Sequence, residues 1–274
     1  MTAVTGPRTS LEDFFTHGLD SAPEHETLER VAQLLDALER GVVRAASRTP
    51  EGTWRTHAWV KRGILAAFRH SETVELDWPG GAVDRSLVPA RWFGLADGVR
   101  LVPGGTSVRR GAHLARGVVV MPPSYVNVGA SVGRGTMVDS HVLVGSCAQV
   151  GSDVHLSTAV QLGGVLEPVG ARPVVVEDEV FVGAQCGLYE GVVVRERAVL
   201  APGVVLTAGT TIYDLVHQTE LRGEVPEGAV VVPGSRPARG DYADVLGLSL
   251  YAPVVVKYRD GSTDAATTLE GALR

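Results

Sequence analysis

An aliphatic side chain occurs at every sixth position through the middle of the chain. A first series runs without a slip and comprises Val102, Val108, Leu114, Val120, Val126, Val132, Val138, Val144, Val150, Leu156 and Leu162. After a gap, a second series comprises Val176, Val182, Leu188, Val194, Leu200, Leu206 and Ile212. A small or β-branched residue follows each of the first ten members at a distance of four, as Ala112 follows Val108. A period kept over this length is the sequence signature of a repeat fold.

A six-residue period fits neither the 3.6-residue period of a helix nor the two-residue period of a strand. It fits a chain that extends briefly and then turns, three times in each coil. Such coils stack as parallel strands about 4.8 Å apart, with the aliphatic residue inside. We expect corners with positive φ at Gly111, Gly117, Asn127, Gly129, Gly135 and Gly151. The predicted fold class is mainly β, a parallel β-helix of hexapeptide repeats with about six or seven coils.

The segments on either side of the repeats lack this period. Helical spacing of apolar residues predicts a mixed α/β, mostly helical N-terminal domain at residues 1–100. The β-helix is predicted over residues 101–235, and C-terminal capping strands over residues 236–274. An extra loop at residues 163–175 interrupts the repeats, and loops on a rigid scaffold commonly carry binding groups. We interpret a second interruption, Tyr213 to Glu224, as a surface excursion.

Charge and composition exclude several classes of protein. The formal net charge of −6 argues against a nucleic-acid-binding protein, which normally presents a basic face. No apolar run approaches the roughly 18 residues of a membrane span, and the N-terminus lacks the apolar stretch of a signal peptide. Two cysteines cannot form a disulfide framework. We therefore expect a soluble, cytoplasmic protein with neither a nucleic-acid nor a membrane partner.

Longer stretches of the sequence resemble one family of enzymes. They include Trp59-Val60-Lys61, Arg100-Leu101-Val102-Pro103, Ser124-Tyr125-Val126-Asn127-Val128-Gly129-Ala130, Gly135-Thr136-Met137-Val138-Asp139, Gly163-Gly164-Val165-Leu166-Glu167-Pro168 and Ser249-Leu250-Tyr251. These words resemble the tetrahydrodipicolinate N-succinyltransferases, hexapeptide-repeat acyltransferases that depend on coenzyme A. The resemblance implies left-handed coiling, an acyl-CoA co-substrate, no metal, and a homotrimer with active sites between subunits.

The resemblance also implies a reaction, the transfer of a succinyl group from succinyl-CoA to the amine of tetrahydrodipicolinate or a closely related amino acid. Asp139 is the candidate general base or amine-orienting group, although aspartates at turns often accept backbone N–H bonds instead. Arg100 is a candidate for binding an acceptor carboxylate in bidentate fashion, and Ser157 and Glu167 are further acceptor-binding candidates. The candidates for CoA binding are Gly164, Gly183, Ala184 and Lys257.

The sequence departs from the family pattern near the acceptor site. The family's Gly-Ala-Arg-Ser-Glu reads Gly183-Ala184-Gln185-Cys186-Gly187, so the acid associated with opening the cyclic imine is replaced by Gly187. Glycine cannot transfer a proton. Either Glu190 takes over that role, or the acceptor is another amine that needs no ring opening, with acetyl-CoA as an alternative donor. His141, two residues after Asp139, is a further candidate base.

Two other classes of function were compared with the sequence. An enzyme like the γ-class carbonic anhydrases needs three histidines on zinc, two of them closely spaced. The histidines His113, His141, His155 and His217 show no such pair. A non-catalytic β-helix with a regular threonine array on one face is not indicated either. Cys147 and Cys186 are interpreted as packing residues rather than nucleophiles.

Overall fold

The computed structural model describes residues 10–78 and 80–261. The α-helices in this part are α1 (Leu11–Asp13), α2 (Glu24–Glu39), α3 (Ala58–Arg69) and α4 (Asp241–Leu246). Shorter helical turns lie at Phe14–Gly18, Leu19–Ser21 and Leu95–Asp97. Two-stranded antiparallel sheets pair β1 (Ala46–Arg48) with β2 (Trp54–Thr56), β3 (Thr73–Leu76) with β4 (Ala82–Arg85), and β26 (Ser235–Pro237) with β27 (Ser249–Tyr251).

The remaining strands form the three faces of a prism. Face 1 contains β6 (Ser107–Val108), β9 (Tyr125–Val126), β12 (Leu143–Val144), β15 (Gln161–Leu162), β18 (Gly187–Leu188) and β21 (Val205–Leu206). Face 2 contains β7 (His113–Leu114), β10 (Ser131–Val132), β13 (Gln149–Val150), β16 (Val175–Val176), β19 (Val193–Val194) and β24 (Glu224–Val225). Face 3 contains β5 (Arg100–Leu101), β8 (Val119–Val120), β11 (Met137–Val138), β14 (His155–Leu156), β17 (Phe181–Val182), β20 (Val199–Leu200), β25 (Ala229–Val232), β28 (Val254–Tyr258), β22 (Thr211–Asp214) and β23 (Thr219–Arg222).

The strands of the coils pair in parallel with a fixed register, which confirms the prediction of a parallel β-helix built from hexapeptide coils. On face 2, for example, Val132 pairs with Val150, and Val150 pairs in turn with Val176. The second step is longer by eight residues because the extra loop leaves the prism between β15 and β16. The register on either side of the loop is unchanged.

The predicted aliphatic columns fill the interior of the prism. Val126, Val144, Leu162 and Leu188 follow one another on face 1, and each is 0% exposed. Since a short strand of two residues buries little surface alone, the stacking of coils supplies the core.

The predicted positions of two residues in the aliphatic columns are wrong. At the first coil the residue paired with Val120 is Leu101 rather than Val102, because one additional residue lies in the turn that follows β5. Ile212 is buried, but its strand β22 pairs with β23 and β28 instead of joining a coil. The six-residue count therefore fails at both ends of the helix, where capping elements replace regular turns.

Positive φ occurs at corners, and not only at glycine. Gly111, Gly117, Gly129 and Gly135 have positive φ as predicted, whereas Asn127 and Gly151 do not. From the third coil onward, several equivalent corners are occupied by residues with a side chain in the left-handed region. These are His141, Cys147, Asp153, Ala159, Glu179, Gln185 and Arg197. Left-handed backbone is uncommon for such residues, so the stacked coils impose it.

The N-terminal helices pack along the side of the prism. Helix α2 carries acidic residues in its first turn, which suits the positive end of the helix dipole, and buries an apolar stripe that includes Leu34 and Leu35. Helix α3 contributes Ile64 to the same core. This core also includes Val128 and Cys147 from the corner between faces 1 and 2, so the helices and the β-helix share one apolar contact.

The two ends of the prism are closed by different segments. Phe93 and Val99 pack against the core of the prism, so the segment before β5 covers that end. At the other end, β28 pairs with β25 and carries β22 at its other edge. These strands confirm the expected C-terminal cap.

We predict that truncation of two adjacent residues of β21 changes the free energy of unfolding by very different amounts. Leu206 is 0% exposed inside the prism, whereas Val205 is 41% exposed on the outer side of the same strand. Leu206→Ala should lower the free energy of unfolding by about 2–5 kcal/mol through lost burial and a residual cavity. Val205→Ala should change it by less than about 0.5 kcal/mol. Chemical denaturation of both variants checks this, and equal effects would contradict the assigned facing of the strand.

Candidate active site

Five of the predicted site residues lie together at one corner of the prism. This corner, which we call corner 3–1, consists of the turns that follow β11, β14 and β17 and lead from face 3 to face 1. The N–H of Asp139 donates to the carbonyl that precedes Ser157, and the N–H of Ser157 donates to the carbonyl that precedes Gly183, at 2.9 Å in each case. Asp139, Ser157 and Gly183 therefore stack on successive coils, about 4.8 Å apart. Ala184 follows Gly183 in the same turn.

Asp139 has one occupied and one open carboxylate oxygen. Its Oδ1 accepts a hydrogen bond of 2.7 Å from the N–H of Ser140, which is the turn contact that sequence reasoning considered. The hydroxyl of Ser124 donates to the Asp139 carbonyl at 2.8 Å and fixes the backbone. Within residues 10–78 and 80–261, Oδ2 makes no hydrogen bond. Asp139 is thus held in place through one oxygen while the other can accept a proton from an amine.

His141 lies in the same turn as Asp139, with an exposed side chain. Its φ is +63°, its N–H donates to the carbonyl of Pro123 at 2.7 Å, and its carbonyl accepts from the side-chain amide of Gln161 at 3.1 Å. The backbone contacts fix the residue, whereas the imidazole extends from the corner. Its position allows contact with a molecule bound beside Asp139.

The glycines predicted to approach CoA have a structural reason of their own. A Cβ on Gly183 would lie 2.6 Å from the backbone nitrogen of Pro202 on the next coil, and a Cβ on Gly164 would lie 2.9 Å from the nitrogen of Ser146. Gly183 is therefore required by the stacking of the coils. Gly164 is exposed, so its open side still leaves backbone accessible to a ligand.

Gly164, Glu167 and Glu190 lie at a different corner. They belong to corner 1–2, the turns that follow β15 and β18 and lead from face 1 to face 2. Face 1 separates this corner from Asp139 by on the order of 15 Å of extended chain. Proton transfer needs hydrogen-bond reach, so Glu190 and Asp139 of one chain do not act on the same atom. The sequence alone can separate the two corners. Residues at the same corner lie a multiple of 18 apart once the eight inserted residues of the extra loop are subtracted.

Tyr189 occupies the space beside Gly187, the position where the family pattern has an acid. A Cβ on Gly187 would lie 2.6 Å from Cε2 of Tyr189, and a Cβ on Gly163 would lie 2.7 Å from Cδ1 of the same ring. The ring therefore lies across face 1 over two glycines of adjacent coils. Sequence reasoning missed this residue, although the pairing of Leu162 with Leu188 makes Gly163 and Tyr189 equivalent positions of neighbouring coils.

Both basic candidates, Arg100 for the acceptor and Lys257 for CoA, lie on strands of face 3. Arg100 is exposed on β5, two coils below Asp139. Lys257 lies on β28 beyond the last coil, and its Nζ contacts the carboxylate of Asp260 at 3.2 and 3.3 Å. One chain thus does not bring Lys257 together with Gly164, Gly183 and Ala184.

A polar cavity of about 220 Å³ lies elsewhere, between the β1–β2 hairpin and face 2. Its buried Glu177 accepts hydrogen bonds from Trp54 Nε1 at 2.8 Å, from Arg195 at 3.0 Å and from the Glu196 N–H at 3.1 Å. Arg195 is also paired with Glu224. None of the predicted site residues lines the cavity. These contacts join the N-terminal hairpin to the prism, so we regard the cavity as part of that junction.

The second interruption contains a polar cluster that the sequence did not predict. Residues of β22 and β23 form an antiparallel hairpin, and Asp214 at its base is buried. Burial alone would raise the pKa of Asp214, but hydrogen bonds from Tyr258, from His217 and from backbone amides lower it to about 2. The segment is therefore a hairpin fastened to β28 rather than a loose surface excursion.

The described part of the chain contains neither a reactive thiol nor a metal-binding cluster. Burial raises the pKa of Cys147 to about 12 and that of Cys186 to about 11, so both stay protonated and confirm the interpretation as packing residues. Among the described residues, no group of three or more His, Cys, Asp or Glu side chains is arranged to hold a metal ion. Nor does that part of the chain contain a helix with the length and apolar character to cross a membrane.

Two family models match the chain. The model described as "Tetrahydrodipicolinate N-succinyltransferase N-terminal" matches residues 8–70, and that described as "Hexapeptide repeat of succinyl-transferase" matches residues 173–208. A 2,3,4,5-tetrahydropyridine-2,6-dicarboxylate N-succinyltransferase from Idiomarina loihiensis is 43% identical over 93% of this chain and 93% of its own. The corresponding protein from Rhodopseudomonas palustris is 41% identical over 98% of this chain and 99% of its own. The chain belongs to the tetrahydrodipicolinate N-succinyltransferase family.

This membership confirms the resemblance found in the sequence, and the fold is the left-handed parallel β-helix of hexapeptide-repeat acyltransferases. Among solved structures, a Campylobacter jejuni protein assigned as a 2,3,4,5-tetrahydropyridine-2-carboxylate N-succinyltransferase is 18% identical with a TM-score of 0.48. That comparison covers 88% of this chain, and this chain spans 64% of that one. The family match extends over the N-terminal helices as well as the repeats.

Proposed function

We propose that this protein transfers the succinyl group of succinyl-CoA to the amine of tetrahydrodipicolinate, in its open form 2-amino-6-oxopimelate, or of a closely related amino acid. The observation that carries the proposal is the identity of 43% to an N-succinyltransferase over 93% of both chains. The reaction belongs to the synthesis of diaminopimelate and lysine. Because succinyl-CoA is an intracellular metabolite, the proposal also assigns the enzyme to the cytoplasm.

Asp139 is suited to the proton transfer that the reaction requires. The amine must lose a proton before its nitrogen attacks the thioester carbonyl, which forms the C–N bond and releases CoA as the C–S bond breaks. The open Oδ2 of Asp139 accepts that proton, while the bond from Ser140 to Oδ1 holds the carboxylate in orientation. The departing thiolate takes up a proton and leaves as free CoA.

The positions of the candidates support a site shared between copies of the chain. Asp139, His141, Ser157 and Gly183 lie at corner 3–1, whereas Gly164, Glu167 and Glu190 lie at corner 1–2. A closed ring of identical prisms can place corner 3–1 of one copy beside corner 1–2 of the next. We therefore propose a homotrimer in which each acceptor site uses Asp139 of one subunit and the extra loop of its neighbour. In such a site, Glu190 of the neighbour can reach the acceptor bound at Asp139, which Glu190 of the same chain cannot reach.

The occupation of face 1 by Tyr189 supports a second candidate, a related acyl transfer with a different acceptor. Tyr189 fills the space beside Gly187, and neither residue offers a carboxylate there. An acceptor whose amine is already free needs no acid at this position. Under this candidate the enzyme acylates another amino acid, with acetyl-CoA as a possible donor, in a specialised pathway.

The proposed function predicts release of free thiol from an acyl-CoA only when an amino-acid acceptor is present. Succinyl-CoA and acetyl-CoA should each be combined with tetrahydrodipicolinate, 2-aminopimelate and lysine in a continuous thiol assay. We expect the highest rate with succinyl-CoA and tetrahydrodipicolinate. A higher rate for 2-aminopimelate would favour the second candidate, and no thiol above background in any combination would contradict both.

We predict that Asp139→Asn lowers kcat by at least about 100-fold, which is the usual contribution of general acid–base catalysis. The amide keeps the hydrogen bond from Ser140 but cannot accept a proton. Asp178→Asn is the matched control, because Asp178 also accepts a backbone N–H, from Ser152 at 2.8 Å, but at the corner between faces 2 and 3. Undiminished turnover in Asp139→Asn, with the oligomer intact, would remove Asp139 from the mechanism.

A further inference from the structure

Lys61 is a fully buried lysine that the proposed mechanism does not use. It lies in α3, and its exposure is 0%. Its Nζ makes one hydrogen bond to a described residue, 2.5 Å long, with the carbonyl of Ala171. Burial lowers the pKa of Lys61, and no carboxylate of the described chain forms an ion pair with it.

A lysine at this buried position lowers the stability of the fold, so we looked for a role of its hydrogen bond. Removing an ammonium group from water costs free energy that one carbonyl does not fully restore. A methionine of similar length fills the same space without that cost. The neighbours of Lys61 on α3 face the apolar helical core, and Ile64 one turn later is also fully buried. Packing alone therefore does not explain the residue.

The acceptor of the hydrogen bond lies in the extra loop between β15 and β16. The N–H of Val165 donates to the carbonyl of Ser146 at 3.1 Å, and Leu166 packs against the helical core, so the prism and the helical core hold the first part of the loop. Its last part is held by Lys61 at Ala171 and by Arg172, whose Nε donates to the carbonyl of Gly191 at 2.9 Å.

Between these contacts, the middle of the loop projects from the protein. Glu167, Pro168 and Gly170 are exposed, and a Cβ on Gly170 would meet nothing within 4 Å. A projecting segment keeps one conformation only if both of its ends are fixed. Lys61 supplies the side-chain contact from the helical layer at the second end.

We propose that Lys61 is a positioning residue that fixes the extra loop, and with it Gly164 and Glu167, for the acyl-transfer reaction. The inference rests on the proposed function for its kinetic consequence. Its structural consequence, the order of the loop, is independent of any activity.

The test replaces Lys61 by methionine and compares kinetics with loop order. Lys61→Met should raise KM for the acyl-CoA or the acceptor by about tenfold, the effect of losing a hydrogen bond to a charged group, with kcat changed less than threefold. Amide hydrogen exchange over residues 165–172 should become faster without ligand, since the loop loses an anchor. Tm should stay unchanged or rise, because a buried charge is removed.

Arg62→Met is the matched control, because Arg62 is the next residue of α3, is exposed, and donates to the carbonyl of Thr16 within the N-terminal layer. We expect wild-type KM and wild-type loop exchange from it. If Lys61→Met does not fold, Lys61→Gln provides the same comparison with a shorter donor and should raise KM and loop exchange by intermediate factors.

Wild-type KM and wild-type exchange in the loop of the Lys61 variants, with a change confined to Tm, would overturn the inference. Failure of the proposed function is a separate result. In that case the wild-type protein releases no thiol with any donor and acceptor, while the exchange comparison still decides whether Lys61 fixes the loop.

Discussion

The burial of one aliphatic residue in every hexad is the interaction on which the rest of the structure depends. A coil of this prism has no core of its own, and its interior residues find their partners in the coils above and below. Parallel pairing between coils then fixes the register, as Val132 to Val150 shows. The consequence for function is that residues 18 apart stack at one corner at the spacing of neighbouring strands, about 4.8 Å. Asp139 and Ser157 owe their proximity to this constraint alone.

The same constraint explains where the chain departs from regularity. Both insertions, the extra loop and the β22–β23 hairpin, leave the prism at corner 1–2, and the coils on either side remain paired. An insertion at a corner costs the core nothing because the next strand returns to the same register. The helical layer lies against this corner, through Val128 and Cys147, and supplies the contacts that hold the first insertion. A rigid prism thus carries a positioned loop beside a fixed column of corner residues.

Much of the fold could be predicted from the sequence because each six-residue repeat corresponds to one side of a coil. The interior columns, the coil number and the loop between β15 and β16 all follow from counting. The count failed at Val102 and at Ile212, where the chain leaves the repeat for a cap and local hydrogen bonding decides the register. The prediction of positive φ at Asn127 and Gly151 was wrong for a related reason. Residue type indicates which corners tolerate left-handed backbone, and not which of them adopt it.

The site was harder to predict. Family words nominated Asp139 and Glu190 together, whereas only the three-sided geometry shows that they occupy different corners. The partner of Lys61 is distant in sequence, and the contacts of Tyr189 depend on the orientation of its ring. No local sequence pattern predicts either of them.

In the proposed trimer, each active site combines corner 3–1 of one chain with the extra loop of another. Co-assembly of two inactive variants tests it most directly: Asp139→Asn, and a chain lacking residues 165–172, whose removal leaves a regular four-residue turn between β15 and β16. Differently tagged chains, co-expressed and purified as mixed trimers, should recover about a third of the wild-type activity, because one of the three interfaces in every mixed ring pairs an intact Asp139 with an intact loop. Mixed trimers as inactive as the two parents would show that the site lies within a single chain and would contradict the shared site.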